Sequence, residues 1–270
     1  MKNLIIAILA MGFVGTASAG DFRSEGHYQA NAGETFFEGS FGYLKMGADF
    51  DPSGELDADT SVFLAGVEHG LSENYSIYVF TVFTDTTIEA GAFEFDKSGL
   101  GPLNLGTNIT HATSMGHFIS NFELEFNYED GEGTNALDSE NNQDGSTNLS
   151  AMIGHRFNLD HANWGLRLEL GLLAGDSKYE NGPDSENDTG YSLSAFYETH
   201  IMESTVGLAD LVYSDDGDDQ TDLALNLTAR FDVDEQMSVL GGLSYSTILD
   251  SDTFDNGNNL GLLVGLRYAM

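Results

Sequence analysis

The stretch that decides the fold is the last one, Asn258–Met270, NNLGLLVGLRYAM. Taken in steps of two, Leu260, Leu262, Val264, Leu266, Tyr268 and Met270 share one face, and Gly261, Leu263, Gly265, Arg267 and Ala269 share the other. Side chains alternate across a strand, so one face is apolar and the other is small with a single cation. A chain of net charge -35 would ordinarily end in polar residues that fray into water. This end reads as a strand between two different solvents.

The first residues say where such a strand would work. Lys2 precedes the apolar run Leu4–Val14, and Ala17 and Ala19 close an A-x-A site before Gly20. A short positive start, an apolar run too short to span a bilayer and a small-residue end predict a secretory signal peptide over residues 1–19. Removing it leaves eight Lys/Arg against 44 Asp/Glu. That balance excludes nucleic acid as a partner and disfavours polybasic lipid binding. With no cysteine, disulfides, thiolate catalysis and cysteine-held zinc are excluded as well. Pro is scarce, at 3 residues, and Gly abundant, at 32, which suits long hydrogen-bonded strands.

Period-2 alternation recurs along the chain. Phe122, Leu124, Phe126 and Tyr128 oppose Asn121, Glu123, Glu125 and Asn127. Trp164, Leu166, Leu168, Leu170 and Leu172 oppose Gly165, Arg167, Glu169 and Gly171. The segment 221–231 repeats the pattern, with Leu223, Leu225 and Leu227 against Asp222, Asn226 and Arg230. These runs have about the 9–11 residues that cross a bilayer at a tilt, more than the five or six of an ordinary globular strand. Twelve strands are predicted, over 34–47, 60–69, 75–85, 100–110, 116–129, 146–158, 164–175, 189–201, 204–213, 221–231, 237–248 and 259–270. The second, third and ninth are apolar on both faces, which leaves their register open, and residues 75–95 read either as one strand with an ordered loop or as two strands around Thr84–Thr87. Short connections (70–74, 158–163, 201–204, 232–236) alternate with long acidic ones (Asp49–Asp59, Thr86–Ser98, Asp130–Gly145, Asp176–Asp188, Ser214–Gln220, Asp250–Asn258). Aromatic residues mark both ends of the apolar band. Tyr43, Phe83, Tyr128, Tyr191, Tyr213 and Tyr245 lie toward the long loops; Phe157, Trp164, Phe231 and Tyr268 lie toward the short turns.

With these features the chain resembles a small Gram-negative outer-membrane β-barrel of the porin type. Gly265-x-x-Tyr268-x-Met270 is similar to the C-terminal assembly signal of such proteins, with Val264 where a polar residue is usual and Met270 where Phe is commonest. The expected fold is all-β: a closed antiparallel up-and-down barrel of about twelve strands, with short periplasmic turns and longer extracellular loops. Residues 20–33 would form a periplasmic N-terminal segment and 34–270 the barrel. The expected location is the outer membrane. Expected partners are its lipid and lipopolysaccharide, the barrel assembly machinery and small solutes or ions; homo-oligomerisation is left open.

The lumen-facing residues singled out are Glu38, Glu68, Glu123, Glu125, Arg156, Arg167, Glu169, Glu198, Arg230 and Arg267. Arginines facing carboxylates would orient or select solutes in a constriction; alternatively the charges pair and plug a narrow barrel. Eight strands give a filled interior and 16–18 an open one, so twelve leaves both readings open. No cofactor is expected. Asp215, Asp216, Asp218 and Asp219 form an acidic loop that could bind Ca²⁺ or Mg²⁺ weakly, but without the full EF-hand ligand spacing. His117 and Ser120 superficially resemble the His-x-Ser pair of outer-membrane phospholipase, yet three residues apart on a strand they point to opposite faces. The expectation is therefore a passive diffusion channel for small hydrophilic solutes, preferring cations, and not an enzyme. A plugged structural or adhesive barrel, a membrane-embedded hydrolase and a soluble exported β-sandwich are the competing readings.

Overall fold

The computed structural model describes residues 29–50, 54–90, 93–126, 147–160, 162–174, 189–215, 220–251 and 256–270. The regular elements among them are twelve strands: β1 (Thr35–Phe50), β2 (Gly54–Ser72), β3 (Tyr75–Ala90), β4 (Phe93–Thr113), β5 (Gly116–Phe126), β6 (Thr147–Asn158), β7 (Ala162–Ala174), β8 (Thr189–Met202), β9 (Thr205–Asp215), β10 (Gln220–Asp232), β11 (Met237–Ser251) and β12 (Asn256–Ala269). Each pairs antiparallel with its sequence neighbours, and β12 pairs with β1 to close the barrel. Thr35 and Met270 exchange backbone hydrogen bonds of 3.0 and 2.9 Å at the seam. Closure leaves no strand edge for hydrocarbon to desolvate, the condition for a sheet to span a membrane.

The two faces match the alternation. On β12, Leu260, Leu262, Val264 and Leu266 point outward and are 51–63% exposed, while Gly261, Leu263, Gly265 and Arg267 point inward and are buried. Water would oppose this arrangement, because covering a Leu or Val side chain is worth about 1.5–3 kcal/mol; lipid does not. Tyr43, Phe83, Tyr191 and Tyr245 lie on the outer face toward one end. Trp164 stacks on Phe157 at 4.4 Å toward the other, with Phe231 and Tyr268 near the same end. Tyr128 lies outside the described residues. The end with Thr35, Met270 and the tight turns is the periplasmic one in barrels of this architecture.

Register settles the three ambiguous strands. Val62, Leu64 and Glu68 on β2, Tyr78, Phe80 and Val82 on β3, and Val206, Leu208 and Asp210 on β9 face inward, since each pairs with an inward residue of its neighbour. Between Thr81 and Phe83 the β3–β4 ladder shifts opposite Gly101 and Pro102. Proline has no N–H to donate, so a bulge is where a sheet tolerates it.

Two connections differ from expectation. Residues 49–59 and 86–98, read as long loops, are mostly strand: β1–β2 pairing continues to Phe50↔Gly54 and β3–β4 pairing to Ala90↔Phe93. The four-stranded extension inverts the polarity of the barrel. Asp57, Asp59, Asp85, Glu89 and Asp96 are exposed on its outer face; Leu44, Met46, Ala48, Leu56, Ala58 and Ile88 are buried on its inner face. A sheet standing in water places its charges outside, whereas a sheet in lipid places them inside.

Candidate channel lumen

Every ionisable residue assigned to the lumen lies on the inward face: Glu38, Glu68, Glu123, Glu125, Arg156, Arg167, Glu169, Glu198, Arg230 and Arg267. Hydrogen bonding folds most of them along the wall. Arg267 of β12 donates to Glu38 Oε2 of adjacent β1 from Nε (3.0 Å) and Nη2 (2.8 Å), and Ser40 Oγ donates to Glu38 Oε1 (3.1 Å). Arg167 of β7 crosses β8 to pair with Asp210 of β9, donating on the way to Ser194 Oγ (3.0 Å) and lying 5.0 Å over the Phe196 ring. Arg156 of β6 likewise reaches Glu198 of β8 (3.4 Å), which also accepts from Asn163 Nδ2 (2.7 Å). Arg230 pairs with Asp232 on its own strand (2.9 Å).

Glycines make room for these crossings. Phe196 lies across Gly165, and Tyr78 of β3 lies across Gly106 of β4, where any added Cβ would overlap the ring. Tyr78 thereby donates to Glu123 Oε2 of β5 (2.6 Å) and accepts from Asn121 Nδ2 (2.9 Å). Asn121 also donates to Asn108 Oδ1 (2.9 Å), and Asn108 donates to Glu68 Oε1 (3.3 Å). Ser76 Oγ gives Glu68 a further bond of 2.5 Å. One polar network thus runs over β2, β3, β4 and β5. Asn148 Nδ2 holds Glu125 (2.7 Å), and the Asn104 amide, oriented to donate, reaches both Glu123 (3.2 Å) and Glu125 (3.3 Å). Glu169 sits half-buried between Met152 and Ser192 in the register. These bonds offset part of the cost of burying ion pairs and amides; the side-chain oxygens of Asn121 and Asn148 accept none among the described residues.

Sequence reasoning missed Asp210, Tyr78, Asn108 and Asn121. A signal for Asp210 existed: it is the lone charge between Thr205 and Ser214, in mid-strand, where an ionised group has to face the lumen. The others are uncharged and carry no comparable mark. An apolar cluster of Ile119, Met152 and Phe196, with Leu208 against it, also faces inward. His117 is inward and Ser120 outward, so the structure does not bring this pair together. Of the candidate divalent site only Asp215 is described; Asp216, Asp218 and Asp219, like the loops 130–145 and 176–188, lie outside the described residues. Among the described residues no group of three His, Cys, Asp or Glu could hold a metal ion.

Protein-family models and curated protein sequences gave no match to the chain. Solved structures match across most of its length. An outer-membrane channel from Pseudomonas putida F1 aligns with a TM-score of 0.69 at 13% identity, covering 92% of this chain and 99% of that one. The translocator domain of the autotransporter NalP from Neisseria meningitidis aligns at 0.58 and 14% identity, covering 98% and 96%. The β domain of the Bordetella autotransporter BrkA aligns at 0.56 and 14%, covering 88% and 100%. At such identities the likeness is one of fold: the chain has the closed β-barrel of outer-membrane proteins.

Proposed function

We propose that the chain is a passive diffusion channel of a Gram-negative outer membrane, passing small hydrophilic solutes and preferring cations. The observation that carries this reading is the pair of opposed faces: an apolar outer band around an interior whose arginines and carboxylates lie folded along the wall. Twelve strands spaced 4.7–4.9 Å apart at the usual tilt enclose about 24 Å between backbones, and wall-hugging side chains leave roughly 10 Å of that. Cation preference rests on the net charge of -35 and on the exposed carboxylates of the β1–β4 extension, which concentrate cations at the outer mouth.

The test is current across a planar bilayer holding the refolded, signal-free chain under a KCl gradient. Discrete steps with a reversal potential toward the cation value are expected. A strand-rich, heat-modifiable protein that never conducts would sink the channel. A plugged structural barrel is the second reading, favoured by the deep burial of Asn121, Ser76 and Glu68, each at most 1% exposed; the same recording separates the two.

A further inference from the structure

The chain just before β1 does not hang free below the barrel. Gly33, with φ of 81°, makes a left-handed turn closed by Glu34 N–H to Asn31 O (2.9 Å) and by Asn31 N–H to the Glu34 carboxylate (2.9 Å). Glycine takes that conformation without steric cost. The turn aims residues 29–31 across the inner wall. Gly33 N–H donates to Gly70 O (2.8 Å), and the Ala30 and Asn31 carbonyls lie so close over Gly70 that any Cβ there would overlap them. Ala30 N–H donates to Glu68 Oε1 (3.2 Å), and Ala30 is 1% exposed. The Gln29 amide, oriented to satisfy both its ends, accepts from Tyr75 N–H (2.9 Å) and Ser76 N–H (3.2 Å) and donates to Thr110 Oγ1 of β4 (2.5 Å). A few residues therefore span from β1 past β2 and β3 to β4, on the lumen side.

We propose that Gln29–Glu34 is a pore-lining strap that sets the periplasmic constriction of the channel. The proposal rests on the channel reading above. A second layer of chain about 5 Å thick along one arc of a lumen roughly 10 Å wide removes a large part of its cross-section. The anchors belong to the wall: a carboxylate aimed at a strap N–H, a bare glycine under two strap carbonyls, and two strand N–H groups at the start of β3 that the strap's own side chain satisfies. The charged network that includes Glu68 thus ends on the strap, so a solute leaving toward the periplasm passes between the strap and the facing wall of β6 to β10, which carries Arg156, Arg167 and Arg230.

The experiment compares the parent with Gly70→Val, which fills the strap's seat, and Glu68→Ala, which removes the Ala30 acceptor. Each also carries Ala30→Cys as a reporter: Ala30 anchors through its backbone N–H and is 1% exposed, so its thiol is covered while the strap is seated, and the signal is free of background because the chain has no cysteine. Heat-modifiable migration shows which variants have folded; if Gly70→Val has not, Glu68→Ala decides. Release of the strap should raise single-channel conductance about 1.5-fold or more and speed modification of the thiol by a charged methanethiosulfonate added from the periplasmic side. A silent parent with conducting variants overturns the open channel proposed above and supports the strap as the closure of a plugged barrel. Folded variants that conduct as the parent does overturn the strap and leave the channel standing. If neither parent nor variants conduct, both readings fall.

Discussion

Arg167 and Asp210 show how the lumen handles charge. Both are buried, and each neutralises the other across β8. Removing one member of such a pair leaves the other uncompensated, beside the path of any permeating ion. Arg167→Ala should therefore move the reversal potential further toward cations, and Asp210→Asn should move it toward anions. Reversal potentials that stay at the parent value in both variants would take the pair out of selectivity. Tyr78 works through space rather than charge. Only a glycine at position 106 lets its ring lie flat and reach β5. Gly106→Val would lift the ring and cost Glu123 and Asn121 one hydrogen bond each, a loss of about 0.5–3 kcal/mol per bond, read as a lower unfolding midpoint in denaturant.

At the scale of the element, one alternation rule has two opposite outcomes. In the bilayer β12 turns Leu262 and Val264 outward; above it, β2 turns Asp57 and Asp59 outward. Depth decides the effect of the same substitution. Val264→Arg near the middle of the apolar band should cost about 2–4 kcal/mol, and Asp57→Arg, beyond the interface, at most about 1. Refolding titrations into lipid vesicles check both, and equal costs would refute the placement of the extension outside the membrane. The same inversion explains why residues 49–59 read as loop. Their acidity suggested solvated connection, although Leu56, Asp57, Ala58 and Asp59 already alternate. Period 2 marks a strand; it does not say which face meets water.

For the whole molecule, the acidity acts as a field. Charges spread over an outer mouth reach a permeating ion through solvent, and salt shortens that reach from about 10 Å at 0.1 M to 3 Å at 1 M. The proposed cation preference should therefore weaken steeply over that range of KCl. A preference indifferent to salt would assign it instead to the paired groups inside, which are screened far less. The barrel itself should not respond, because its closure rests on backbone ladders and lipid contact.

The fold was open to inspection in the chain because a barrel wall repeats one local rule. Two residues make a period, the two solvents differ sharply, and a terminal strand with faces as unlike as Leu262 and Gly261 states which side is which. Strand number and the inward set from Glu38 to Arg267, apart from Glu68 on the two-faced β2, follow from that local alternation. The partners do not. Arg167 meets Asp210, Arg156 meets Glu198 and Tyr78 meets Glu123 two strands away, at offsets set by tilt and register around a closed ring. No sequence spacing encodes those offsets. The course of Gln29–Glu34 was hidden for the same reason: a turn at Gly33 is a local event, but what it points at is the inner wall of β2, β3 and β4, which exists only once twelve strands have closed.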